Sequence, residues 1–205
     1  MLKRYLIMFS TLMLLNMGCE NHENHPVNQA MRTVSSALQS RDITVLRPLL
    51  SAQTTDAVDE VFKALSTLHK TAKSLPEHMR QDVIGSLPKS VVTENSSVFL
   101  QELTAESLTS LKMDEGTLFG LEVDAINQES EKSATVVTKS GEKFPFSLEK
   151  TGWKIHLFKE PLSELLKKTR TLQQAINLTI ERVARRAQIE SVLQSAEPKS
   201  KPKKR

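Results

Sequence analysis

The chain has 205 residues, room for one domain with accessory segments, and 39% of them are hydrophobic but only 4% aromatic. Its formal charge of +4 comes from the two ends. Lys3, Arg4, Lys199, Lys201, Lys203, Lys204 and Arg205 are seven of the 28 basic residues; without them 21 face 24 acidic ones, a near-neutral body that argues against a nucleic-acid-binding domain.

Lys3 and Arg4 precede an apolar run of thirteen residues, 5–17, interrupted by Ser10, Thr11 and Asn16. At about 1.5 Å per residue such a helix reaches roughly 20 Å, short of a hydrocarbon core of about 30 Å. It therefore reads as an export signal and not as a permanent span. The run ends Leu15-Asn16-Met17-Gly18-Cys19. That junction resembles the lipobox of bacterial lipoproteins, where a small residue precedes an obligatory cysteine that is acylated before cleavage. The resemblance implies a signal peptide over 1–18, cleavage between Gly18 and Cys19, and a membrane anchor through lipid on Cys19. Asn16 and Met17 depart from the usual aliphatic and smaller residues. Cys19 is the only cysteine, so the exported part carries neither disulfide nor stray thiol, which suits an oxidising compartment. Glu20 in place of Asp after the cysteine resembles enteric sorting to the outer membrane, facing the periplasm, if the cell is Gram-negative.

Residues 19–26 are polar and aperiodic, a tether between lipid and domain. His22 and His25 with Glu20 and Glu23 are ligand types, but a bare tether cannot hold them in a coordination geometry, so no metal and no cofactor is expected. From Val27 the apolar residues Ala30, Met31, Val34, Ala37 and Leu38 recur at helical spacing. Asp42 then caps a short helix through Leu50, which Pro48 limits. Val58, Val61, Phe62, Leu65, Leu68, Ala72 and Leu75 predict an amphipathic helix over 55–75. Pro76 opens the next helix, which stops near Pro88, and residues 98–111 read as one or two further short helices.

The period changes near residue 118. Leu121, Val123 and Ala125 alternate with Glu122 and Asp124, the pattern of a half-buried strand. A second strand covers 134–139, and Phe144, Phe146 and Leu148 mark a third, in which Pro145 suggests an edge position or a bulge. Trp153, Ile155 and Leu157 mark a fourth. Hairpin-length turns at Ser140-Gly141 and Thr151-Gly152 make this a four-stranded antiparallel meander. Residues 161–196 form a long helix with a broad apolar face, able to meet an envelope protein partner. The tail 197–205, with Lys199, Lys201, Lys203, Lys204 and Arg205, reads as disordered and as a candidate contact to an anionic surface.

The order of helices, then curved strands ending in Gly152-Trp153-Lys154-Ile155, is similar to the nuclear transport factor 2-like superfamily, with residues 27–50 matching its opening helices and 134–158 its late strands. The resemblance implies a cone whose sheet wraps round the helices and leaves a pocket. The expected fold class is therefore α+β: N-terminal helices packed on the meander, cone-like, forming one domain over 27–160, followed by the C-terminal helix 161–196 and the tail.

Enzymes of the cone type use Asp, His or Tyr for acid–base work. The only tyrosine, Tyr5, lies in the presumed signal. Asp124 and His156 are out of phase with their apolar neighbours and should face solvent. His69 and His78 read as surface or boundary residues. The sequence has no serine elbow, phosphate loop or zincin motif. Trp153 either lines a ligand pocket or, by its alternation with Ile155 and Leu157, packs in the core. Arg182, Arg185 and Arg186, diluted by Glu181 and Glu190, read as a solvated face. The leading expectation is a lipid-anchored, non-enzymatic binding or assembly component of the envelope. The alternatives are a pocket domain that binds or converts a small apolar molecule, and an adaptor acting through its last helix.

Overall fold

In the computed structural model of the chain, residues 24–110 and 121–196 are described. They fall into two compact units, each discontinuous in the chain: 24–56 with 103–110 and 121–159, and 57–102 with 160–196.

The first unit opens with α1 (Pro26–Ser40). Pro26 stands in the first turn, where a missing N–H costs nothing, and the His25 side chain accepts the Val27 N–H at 3.2 Å as a cap. Val27, Met31, Val34, Ala37 and Leu38 are buried along one face. The helix ends at Arg41 in the left-handed region, φ 53°, with its N–H returned to the Leu38 carbonyl. Asp42 then starts α2 (Ile43–Leu46) by accepting the N–H groups of Thr44 and Val45. The Thr44 hydroxyl, with those N–H groups behind it, holds the Asp42 carboxyl below its ordinary value. Pro48 sits in a 3-10 turn over Arg47–Leu49 that ends the segment.

The sheet is the expected meander: β1 (Val123–Ser130), β2 (Ser133–Thr138), β3 (Lys143–Glu149) and β4 (Gly152–Ile155), antiparallel and in chain order. Register makes the core. Ala134, Phe146 and Ile155 lie opposite one another in a row across three strands, and Val136 lies opposite Phe144 in the next. All five are buried, and α1 packs against β1, β2 and β4. Full burial of each large apolar side chain contributes about 1.5–3 kcal/mol, which makes this row the anchor of the unit. Gly141 and Gly152 take φ values of 85° and 109°, conformations that a Cβ would strain.

Two expectations need correcting. The first strand runs on to Ser130, because the polar run Asn127-Gln128-Glu129-Ser130 pairs with β2 although it has little apolar alternation. Pro145 lies in an interior strand, β3, and not at an edge. Its carbonyl accepts the His156 N–H at 2.9 Å, and a strand residue directs both backbone groups to the same side. The missing donor thus faces His156, just beyond the end of β4, and the ladder to β2 loses no bond.

α3 (Ala52–Ala72) and α6 (Ser96–Ser110) belong partly to each unit. The second unit also holds α4 (Glu77–Gly85), α5 (Lys89–Val92) and nearly all of α7 (Lys159–Ala196). Residues 96–110 form one helix, and the one-turn α5 had no sequence signal of its own. Leu68, Ala72, Leu75 and Ile176 form a buried cluster, with Val83, Ile84, Leu87 and Ile180 against it. The rings of Phe62 and Phe99 meet tilted at 5.5 Å. Glu102 holds α5 by accepting both the hydroxyl and the N–H of Ser90, at 2.5 and 3.3 Å. On α7 the buried residues Leu162, Thr169 and Ile176 recur every two turns. From Glu181 to Leu193 every side chain is exposed.

Candidate functional site

The most organised polar arrangement among the described residues lies where the start of α3 meets the sheet. The backbone begins it: the Ser51 N–H donates to the Ile155 carbonyl at 2.9 Å, and Leu50 bridges Ile155 in parallel. Ser51, fully buried, caps α3 by accepting the Thr54 N–H at 3.2 Å. Its hydroxyl proton goes to Thr54 Oγ1 at 3.0 Å. The remaining neighbour, His156 Nδ1 at 3.0 Å, must then donate to Ser51, and Nε2 of the same ring meets the Ser147 hydroxyl at 3.0 Å.

Three more bonds fasten the same segment. Glu149 accepts the Ala52 N–H at 2.9 Å, a carboxylate at a helix N-terminus, where the macrodipole favours it. Lys154 donates to the Pro48 carbonyl at 2.6 Å. Thr54 Oγ1 is directed at the Leu157 carbonyl, 3.5 Å away. A serine hydroxyl on a histidine Nε2 is the arrangement that a nucleophile and its base use. Here, however, Nδ1 is held by a hydroxyl and not by a carboxylate, so the group that would stabilise an imidazolium in a triad is replaced by a neutral one. What these bonds do together is clasp residues 48–54 to β3 and β4.

The clasp corrects the reading of His156. The residue is out of phase with the buried Ile155 and Leu157, as its place in the strand pattern predicts, but it is half-buried and not solvent-facing, with the Ser51 hydroxyl against its ring. His69 is also buried, at 5% exposure, and its Nδ1 has no hydrogen-bond partner among the described residues. The buried face of α3 is broader than the stripe of apolar residues, and His69 lies inside it beside Leu65 and Leu68. Asp124 and His78 are exposed, and so are Arg182, Arg185 and Arg186.

Trp153 lies outside the buried core. It is half-buried at the start of β4, opposite the exposed Leu148, with its ring 6.4 Å from that of His25. His25 in turn meets the Gln128 side chain at 3.3 Å. Among the described residues no three His, Cys, Asp or Glu side chains are grouped to hold a metal ion. Gly18, Cys19, His22 and the tail residues Lys199, Lys201, Lys203, Lys204 and Arg205 lie outside the described residues.

Of the clasp, only Ser51 and Thr54 carry a sequence signal, the serine and threonine spacing of a helix start. Ser147, Glu149 and Lys154 are alternate polar residues on strands, and nothing in the sequence distinguishes them. Comparison of the chain with protein-family models, with curated proteins and with solved structures finds no match to any of them.

Proposed function

We propose that the chain is a lipid-anchored component of the bacterial cell envelope that acts by binding or assembly and not by catalysis. The observation that carries the anchor is the placement of the single cysteine, Cys19, directly after Gly18 at the end of a basic-then-apolar leader. Acyl chains contribute about 0.8 kcal/mol per buried CH₂, so several on one cysteine hold a protein at the membrane essentially permanently. No helix among the described residues is long and apolar enough to cross a membrane. Glu20 favours the outer membrane, facing the periplasm, if the cell is Gram-negative.

The binding part rests on the second half of α7. Val183, Ile189, Val192 and Leu193 are between 43% and 63% exposed, and the last three stand at the i, i+3, i+4 spacing of one helix side. A partner helix or groove in the envelope is the surface they fit. The clasp around His156 fits the same reading, because its polar groups are spent on holding the fold. A cone of the nuclear transport factor 2-like type is the scaffold we propose for the first unit.

Cells expressing the chain and its Cys19→Ser variant, grown with labelled fatty acid, test the anchor. Label in the parent chain and none in the variant is the expected outcome. Equal labelling of both, or none in either, refutes the lipoprotein reading.

A further inference from the structure

We infer that the end of the sheet carrying Trp153 and Leu148 rests on the membrane surface, an inference that builds on the lipid anchor at Cys19. The argument begins with the length of the leash. His25 stands six positions after Cys19, and a chain extends at most about 3.3–3.6 Å per residue, so His25 stays within about 22 Å of the acylated cysteine whatever path the tether takes. His25 is not free to swing. It caps α1 through the Val27 N–H, meets Gln128 on β1 and lies against the ring of Trp153 on β4. The leash therefore ends at one particular edge of the first unit, the end bearing the turns at residues 131–132 and 150–151.

That end has the chemistry of an interfacial surface. Trp153 and Leu148 are cross-strand partners on the face that buries Phe146 and Ile155, but they lie one row beyond the core. Leu148 is 41% exposed and Trp153 only half-buried. Tryptophan has an apolar body and a polar N–H, and it settles at the headgroup level of bilayers. The charges around the pair nearly balance: Lys132 and Lys150 stand beside Glu129, Glu131 and Glu149. The contact is therefore apolar, and it needs no anionic lipid. The occupant of this surface is the headgroup layer of the bilayer that holds the anchor.

Trp153 is the only tryptophan in the chain, so its fluorescence reports this surface without any engineered probe. The lipidated protein is reconstituted into phosphatidylcholine vesicles, with or without acyl chains brominated near the headgroup. Bromine quenches on contact, so emission should fall by roughly half in the brominated vesicles if the ring sits at the headgroup level. The fall should persist in high salt and should shrink for Leu148→Asp, which removes the apolar neighbour while leaving the lipid in place. Unchanged emission from a protein whose intact mass includes the lipid overturns the inference and leaves the anchor standing. An intact mass without lipid removes the anchor, and the inference falls with it.

Discussion

Replacing Ser51 with alanine removes the hydroxyl at the centre of the clasp. Two losses add. The Thr54 N–H in the first turn of α3 loses its cap, which costs about 1 kcal/mol. His156 Nδ1 loses its acceptor, and because the ring is only half-buried, with water nearby to compensate, this costs about 1 kcal/mol more. The single variant should therefore be destabilised by about 2 kcal/mol. His156→Ala should cost a similar amount through its bonds to Ser51 and Ser147 and the lost ring packing. The double variant should lose about 1 kcal/mol less than the sum of the singles, because the bond between the two residues is counted twice in that sum. Urea unfolding of the four proteins at neutral pH, followed by circular dichroism, measures the cycle, and the slope m should stay constant across the set. Additivity to within about 0.3 kcal/mol would show that Ser51 and His156 are not coupled, and the clasp would then be no more than a helix cap.

Other outcomes follow from packing and charge. Phe146→Ala empties the middle of the buried row between Ala134 and Ile155 and should cost about 3–5 kcal/mol in urea unfolding; a loss under about 1 kcal/mol contradicts the register. His69→Leu replaces a buried ring, one nitrogen of which has no partner among the described residues, with an apolar side chain of similar size. It should leave stability unchanged or raise it, and a loss of more than about 1 kcal/mol would mean that Nδ1 is bonded in solution. Asp42 has its folded pKa held below the ordinary 3.8 by its capping bonds, so its contribution is present above that value and is lost as pH falls through the folded value. Asp42→Ala should accordingly be less stable than the parent at neutral pH, with the gap closing in acid; a gap that persists below both values would point to packing instead.

The parts that were legible in the sequence are those governed by local pattern. Alternation placed Phe144, Phe146 and Ile155 on the buried face and ordered the four strands correctly, because a period of two leaves only one choice of face once one side is covered. Helical spacing found α1 and α3 for the same reason. The misses are non-local. His156 is covered by Ser51, 105 residues away in sequence, and no local period can announce such a neighbour. The polar half of β1 is held by its pairing with β2 and not by a buried face of its own, so it gave no alternation to read. Trp153 kept the right phase, yet phase says nothing about where along a strand the core stops. The row at Ile155 is covered, and the row at Trp153 is not.

The discontinuity of the two units has a consequence for how the chain acquires its fold. α1 contributes Val27, Met31 and Val34 to a core whose other wall, the row through Ala134, Phe146 and Ile155, begins 100 or more residues later. All of residues 57–102, which belong to the other unit, intervene. A chain emerging from its N-terminus has to keep that apolar helix face unpartnered until the last strand is available, and closing so long a loop comes before any contact can reward it. Folding of the first unit should thus be slow and late, set by the arrival of β4, whereas a truncation anywhere before residue 155 leaves α1 with its apolar stripe bare and open to aggregation.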